Sequence, residues 1–363
     1  MMSHLRASMW LLVLTVIICC ALYPLVLWVV GQGVFPGKAS GSLVTTKGSD
    51  GKEVAVGSSL IAQPFTKDWY FQPRPSAASY NATASGASNW GASNPKLRDR
   101  IARQLGPIVK YNPHGPKKDA SVQKDIEAWF AGYTPKEGES PPVVKWAQDN
   151  STLAGAWVKD DSRKAAVIEW LKGHPQILAD WKKSKPDADE PKLDDDKTIP
   201  FDDIAGAFFE SWAAAHPKLW PEPEDYETGK KDDRGEPEKG KRFKPVAEGA
   251  DLQASFFDSW LKAHPDADLE KVPADMVFAS GSGLDPHITL RNAHYQLDRV
   301  ATARADAAKR DLGDVRSKVE GILRENAFTP LSGLIGEPLV NVLEVNLEVD
   351  RQVPMPPAPM KAP

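Results

Sequence analysis

Met9-Trp10-Leu11-Leu12-Val13-Leu14-Thr15-Val16-Ile17-Ile18-Cys19-Cys20-Ala21-Leu22-Tyr23-Pro24-Leu25-Val26-Leu27-Trp28-Val29-Val30 is a run without a single charge. At about 1.5 Å per residue a helix of this length reaches about 33 Å, enough for a hydrocarbon core of about 30 Å. Thr15, Cys19, Cys20 and Tyr23 are its most polar members, and a helix satisfies its own backbone in lipid. The run exceeds the roughly 7–15 residues of a signal-peptide core, and no small-x-small site closes it, so a retained membrane anchor is expected. Its orientation stays open on charge alone: Arg6 and His4 precede it, and Lys38, Lys47 and Lys52 follow it.

Beyond the anchor the chain is polar. With 45 Lys and Arg against 49 Asp and Glu, the net charge is −4 over 363 residues, without the basic stripe of a nucleic-acid binder. Thirty-one prolines and 26 glycines point to a loop-rich body, long enough for one or two domains. Both cysteines, Cys19 and Cys20, lie inside the anchor. The water-exposed part is therefore expected to hold neither a disulfide nor thiol chemistry.

Val34 to Gly51 is Gly/Ser/Lys-rich and reads as a tether, and Glu53 to Ile61 has β character. Trp69 to Pro95 is dense in turn formers and cannot be regular helix or central strand. The aromatics Trp69, Tyr70, Phe71, Tyr80 and Trp90 within it predict a packed loop. Asn94 and Pro95 start a short helix that runs to Leu105.

The middle of the chain repeats itself. Phe208-Phe209-Glu210-Ser211-Trp212-Ala213-Ala214-Ala215-His216-Pro217 recurs as Phe256-Phe257-Asp258-Ser259-Trp260-Leu261-Lys262-Ala263-His264-Pro265. Trp170 to Pro175 is a shorter echo, and Ile126 to Pro135 a degenerate one. Each copy predicts a helix with an aromatic stripe, ended by a His that precedes Pro. Lys183 to Asp196 and Pro221 to Gly240 read as solvated or disordered. Further on, Thr289 to Arg304 is helix-prone. Asp311 caps a helix through Asn326 that buries Val315, Val319, Ile322 and Leu323. The alternation from Leu339 to Asp350 predicts a half-buried strand. The tail from Val353 to Pro363 is Pro-rich and expected to be loose.

The residues spell no strong active site. Asp194-Asp195-Asp196-Lys197-Thr198 is followed by Ile199-Pro200 rather than the Gly-Thr that an aspartyl-phosphate turn needs, and no Gly-x4-Gly-Lys-Ser/Thr loop exists. Ser282, Asp285 and His287 suggest a hydrolase, but Ser280-Gly281-Ser282-Gly283 lacks the spacing of a nucleophile elbow. His174, His216 and His264 have no acidic or Cys partner at fixed spacing, so helix stops are favoured over metal ligands. No catalytic and no metal-binding residue is assigned.

Two separated blocks resemble a known family. The first is Gly57-Ser58-Ser59-Leu60-Ile61-Ala62-Gln63-Pro64-Phe65, Tyr70-Phe71, Arg74-Pro75-Ser76-Ala77, Tyr80-Asn81, Ser85-Gly86, Ser88-Asn89 and Asn94-Pro95. The second is Ala279 to Ile288, Tyr295-Gln296, Arg299-Val300-Ala301, Ala303-Arg304, Gly336-Glu337-Pro338 and Val340 to Asn346. In this order, behind an N-terminal anchor, they resemble the C subunit of the Kdp-type potassium-transporting ATPase. The resemblance covers about 1–105 and 272–350, and about 160 residues intervene where the family has a short segment. Ala62 often corresponds to Gly there, and Leu339 to a basic residue.

The resemblance implies an α+β architecture: one transmembrane helix at about 9–30 within an anchor segment 1–33, and a mixed extracytoplasmic domain over 34–105 and 272–350. A mainly helical insertion fills 106–271, and a loose tail fills 351–363. It implies an accessory, non-catalytic subunit of a high-affinity potassium uptake pump in the bacterial cytoplasmic (inner) membrane, with its N-terminus in the cytoplasm. Its partners would be a channel-like subunit, a P-type ATPase catalytic subunit, a small single-span subunit and the lipid bilayer. The family is described as a catalytic chaperone that raises ATP affinity, so ATP enters by resemblance only and no tightly bound cofactor is expected. The residues carried over as partner-interface or structural positions are Gln63, Phe65, Tyr70, Arg74, Ser76, Tyr80, Ser88, Asn89, Asn94, Ser280, Ser282, Asp285, His287, Gln296 and Arg299. Of these, Tyr70, Arg74, Tyr80, Asn89 and the turn Ser282 to His287 are expected to form a docking surface. The alternatives are a membrane-anchored serine hydrolase using Ser282 and His287, and a free-standing scaffold whose aromatic repeats bind peptide or cell wall.

Overall fold

A computed structural model describes residues 2–47, 51–231, 235 and 237–355. It is mixed helix and strand and divides into two compact units, residues 1–89 with 273–363, and residues 90–272.

The first unit opens with α1 (Met2–Val16), a π-helical turn over Ile17–Leu22 and α2 (Tyr23–Val34). Together they form an exposed helix, His4–Val34, long and apolar enough to cross a membrane. The wide turn has a local cause. Pro24 has no N–H to offer the carbonyl four residues back, and Tyr23 N bonds Ile18 O, five residues back. A short α3 (Pro36–Ala39) follows, then β1 (Leu43–Lys47) paired antiparallel with β2 (Glu53–Ser58). The expected tether is thus partly structured, because the β-branched Val44, Thr45 and Thr46 find a partner strand. From Ser59 to Asn89 the chain is loop and turn, as expected from Trp69 onward, whereas the β character read to Ile61 ends at Ser58, and Phe71 within the loop is buried.

The second unit contains α4 (Pro95–Leu105), α5 (Val122–Gly132), α6 (Pro142–Asp149), α7 (Ser151–Val158), α8 (Lys164–Gly173), α9 (Gln176–Ser184) and α10 (Phe201–Ala215). The hairpin β3 (Trp220–Lys231) and β4 (Pro237–Val246) and then α11 (Ala250–Ala263) complete it. Asn94 caps α4 by accepting from Lys96 N. The aromatic stripes pack on each other: Phe130 meets Phe256 at 4.6 Å and Trp170 meets Trp212 at 4.9 Å. Each helix-ending His stacks on its own Trp, at 4.0 Å for His174, 4.2 Å for His216 and 5.0 Å for His264. The Nδ1 atoms of His174 and His264 donate to the Trp170 and Trp260 carbonyls, so these rings cap helix ends. Among the described residues no group of three or more His, Cys, Asp or Glu could hold a metal ion.

Pro221 to Gly240, expected to be solvated or disordered, is largely exposed yet ordered as paired strands, with 232–234 and 236 outside the described residues. The strands pair in register, with Glu222 opposite Lys244, Glu224 opposite Arg242 and Asp225 opposite Lys241. Opposite charges face across the ribbon, while Trp220 is buried in the aromatic core and Phe243 packs against it. Lys183 to Asp196 remains largely exposed but contains defined turns, with a bridge between Lys192 and Asp195.

The first unit resumes with β5 (His287–Thr289), α12 (Leu290–Ala308), α13 (Leu312–Glu325), β6 (Leu339–Asn341) and α14 (Val342–Gln352). Thr289 and Asp311 cap α12 and α13. The strand expected over Leu339 to Asp350 ends at Asn341, whose side chain accepts from Leu343 N and Glu344 N and starts a helix. Val342, Val345, Asn346 and Val349 then share one buried face, a spacing that fits a helix as well as alternation fits a strand. The unit's core joins Phe71 to Leu297, Val300, Val319, Ile322, Val345 and Val349. Of the tail, residues 356–363 lie outside the described residues.

Candidate functional site

The two blocks meet in the first unit, where the loop 59–89 lies against the turn 279–287 and the helices α12 and α14. The Ser/Gly turn is held by backbone bonds: Ala62 N to Leu284 O (2.9 Å), Ser280 N to Pro75 O (3.2 Å) and Gly86 N to Ser282 O (2.9 Å). Ser76 Oγ donates to Gly283 O (2.6 Å) and accepts from Ala78 N and Tyr80 N. Gly283 sits at φ +69°, where a Cβ would come within 2.8 Å of Ala78 Cβ and Gly86 O, so only glycine fits.

Arg74 reaches over this turn. Its guanidinium lies 3.4 Å from Asp285 Oδ2, and Asp285 Oδ1 accepts from the His287 N–H (3.0 Å) and its ring Nδ1 (3.2 Å). Burial pushes the Asp285 pKa up, but the His287 bonds and the charges of His287 and Arg74 outweigh it, leaving the carboxyl below its usual range. The Tyr80 hydroxyl donates to the Arg74 carbonyl (2.9 Å). On the other side, Gln296 clasps Gln72 from both ends, its Oε1 accepting from Gln72 N (2.8 Å) and its Nε2 donating to Gln72 O (3.0 Å). Arg299 donates to the carbonyls of Asp68 and Tyr70 and to Gln296 Oε1. These long polar side chains tie a loop without secondary structure to a rigid helix.

The sequence-derived positions therefore divide. Tyr70, Arg74, Ser76, Tyr80, Ser280, Ser282, Asp285, His287, Gln296 and Arg299 take part in the seam between the blocks. Gln63 and Phe65 instead line a groove of about 890 Å³ with Thr45, Tyr70, Leu343 and Glu344. Ser88 is half-buried and Asn89 is exposed at φ +52°. Asn94 lies in the second unit as a helix cap. No triad forms: Ser282 Oγ accepts from Leu284 N, while His287 turns to Asp285 and packs edge-on against Phe328.

Residues outside that set bind the seam most tightly. Asn346 pairs with the Phe71 backbone, and Asn341 Nδ2 donates to Ser59 O (2.7 Å). Arg304, fully buried, reaches the carbonyls of Trp69 and Val353 and the Asp350 carboxylate. Arg304 and Asn346 stand on buried helix faces among Val, Ala and Leu, where a polar side chain needs a partner. The unit also exposes three apolar side chains of one turn, with Leu331 66 %, Leu334 84 % and Ile335 66 % accessible.

The profile of the family described as K+-transporting ATPase, c chain, matches residues 5–128 and 249–351. The chain belongs to this family. Several curated relatives, each named potassium-transporting ATPase KdpC subunit, are similar to it. That of Allorhizobium ampelinum is 48% identical over 119 residues, 32% of this chain and 60% of the relative. That of Janthinobacterium sp. (strain Marseille) is 41% identical over 116 residues, 31% and 59%. That of Pseudomonas savastanoi pv. phaseolicola is 38% identical over 142 residues, 36% and 73%. The chain thus spans less than two thirds of the length of the first two, while it is itself about twice as long as such relatives. The matched family segments include the candidate span from residue 5, the seam up to residue 351, α4 and α11. Helices α6 to α10 and the hairpin fall between them.

Proposed function

We propose that this chain is a non-catalytic accessory subunit of an ATP-driven potassium pump. The observation that carries the reading is the seam: parts of two family-matched segments, 5–89 and 273–351, close on each other in one unit that also carries an apolar helix. The helix anchors the subunit in a bacterial cytoplasmic membrane, with the N-terminus in the cytoplasm and the bulk outside. Its partners are a channel-like potassium subunit, a P-type catalytic subunit and a small single-span subunit. Since the seam side chains are largely spent on one another, the docking surface centres on the exposed turn of Leu331, Leu334 and Ile335. Any effect on ATP affinity reaches the catalytic subunit as a coupling between conformational states through the anchor or the channel subunit. In this reading the chain itself holds no nucleotide.

The test is affinity purification of the tagged full chain from native membranes. Recovery of a P-type ATPase is expected, and its weakening on Leu334→Ser with unchanged circular dichroism. Membranes that yield the tagged chain alone would overturn the reading.

A further inference from the structure

The second unit holds a cleft of about 910 Å³, within the range of small-molecule sites. It has two origins. Helices α4 and α11 belong to the matched family segments, whereas α7 and the start of α10 belong to the stretch 129–248 between them. Its walls carry Trp90, Leu153, Ala156 and Ala254 beside four cations. Two cations are spent: Arg103 on Asp251 at 2.8 Å and Lys159 on Asp202 at 2.6 Å. Lys96 and Arg100, one turn apart on α4, have no carboxylate within ion-pair distance among the described residues. The Arg100 guanidinium lies over the Trp90 ring at 4.8 Å. Its Nε is shut off from water without a hydrogen-bond partner, as is Gln104 Oε1 one turn on. Burial lowers the Arg100 pKa with no neighbouring charge to offset it. A partly buried guanidinium without a counter-ion is unfavourable, and an anion entering the cleft would relieve it.

We propose that this cleft binds a small amphipathic organic anion. Its carboxylate or phosphate is held by Lys96 and Arg100, and its apolar or aromatic body lies against Trp90, Leu153 and Ala156. Tryptophan and arginine together suit such a ligand, one covering the ring or alkyl body and the other forking onto the oxygens. The inference is independent of the pump reading, since the site is formed with residues outside the family match.

Ligand-observed NMR on the full chain in nanodiscs tests it, with empty nanodiscs subtracted. The probes are 4-phenylbutyrate and phenyl phosphate, with 4-phenylbutanol as the neutral control. At least one anion should bind saturably and about tenfold or more tighter than the alcohol, the scale of one charge-assisted bond. Arg100→Ala should weaken it by a similar factor, Arg100→Lys should restore part, and Ala156→Trp should block the cleft. Absence of saturable anion binding, equal affinity for the alcohol, or binding unaffected by Ala156→Trp in a chain with wild-type circular dichroism would overturn the proposal.

Discussion

Asn346 grips the backbone of Phe71 with both halves of its amide. Phe71 N donates to Oδ1 at 2.8 Å and Nδ2 donates to the Phe71 carbonyl at 2.9 Å, across 275 residues of chain. Both residues are 1 % exposed, so water cannot replace either bond. The side chain acts as the strand neighbour that this loop lacks. Asn346→Ala strands a buried donor and acceptor at about 1–3 kcal/mol each. A loss of about 2–4 kcal/mol is expected, lowering Tm by roughly 5–15 °C. Thermal unfolding followed by circular dichroism checks it, and a shift under a degree would show that the seam does not hold the unit.

Arg304 is expected to tolerate no cationic substitute. Its side chain is 0 % exposed, with Nε on the Trp69 carbonyl, Nη1 on the Val353 carbonyl and Nη2 on Asp350 at 2.7 Å. Lysine keeps the charge but loses the planar fork that serves three directions. Arg304→Lys and Arg304→Met should both cost about 3–5 kcal/mol. Combining Arg304→Met with Asp350→Asn should cost less than the sum of the two. Urea unfolding of the four chains measures the coupling, and strict additivity would contradict it.

Asp251 organises the second unit. Its Oδ1 accepts from Arg103 and Arg163, each at 2.8 Å, and its Oδ2 from the indole N–H groups of Trp157 and Trp220, each at 2.8 Å. Asp203 holds the same first-turn position on α10 and accepts from Trp181 Nε1 at 3.0 Å. Asp251→Asn points an N–H₂ group at existing donors and should cost about 2–4 kcal/mol. Near-UV circular dichroism should lose its tryptophan bands before far-UV signal falls.

The Asp285 carboxyl has a depressed pKa in the folded chain. Its stabilising effect is therefore complete above the unfolded value of about 3.9 and is lost as pH falls through the lower folded value. The Tm difference between wild type and Asp285→Asn should shrink as pH falls below about pH 4. A difference that grows on acidification would reverse the assignment.

Much of this was readable in advance where one signal dominated. Asn94, Thr289 and Asp311 marked helix starts because a short polar side chain before a periodic run has few other uses. The Phe and Trp stripes marked buried faces for the same reason. Reading failed where one pattern served two structures. Leu339 to Asp350 alternates well enough for a strand, and only the cap at Asn341 selects the helix. The hairpin was missed because its strands are charged. Their pairing rests on Glu222 with Lys244 and Glu224 with Arg242, contacts that exist only once the register is known. At the seam, Arg74, Asp285, Asn346 and Arg304 all stand in the family pattern, but nothing near Asn346 or Arg304 in the sequence announces the distant carbonyls that they bind.

The second unit is also fastened at its own mouth. Arg98 and Arg103 of α4 bond Asp258, Ser255 and Asp251 of α11, and beyond the helix Asn112 N meets Asp268 O and Glu270 N meets Lys110 O. The two strands of chain that lead into the extra residues are thus already side by side before those residues begin. Adding sequence there lengthens a loop whose ends are fixed, and the entropy lost to closure grows only with the logarithm of its length. Chain length between these fixed ends can therefore vary at small closure cost, while Trp157, Arg163 and Trp220 of that stretch remain fastened to Asp251 of α11.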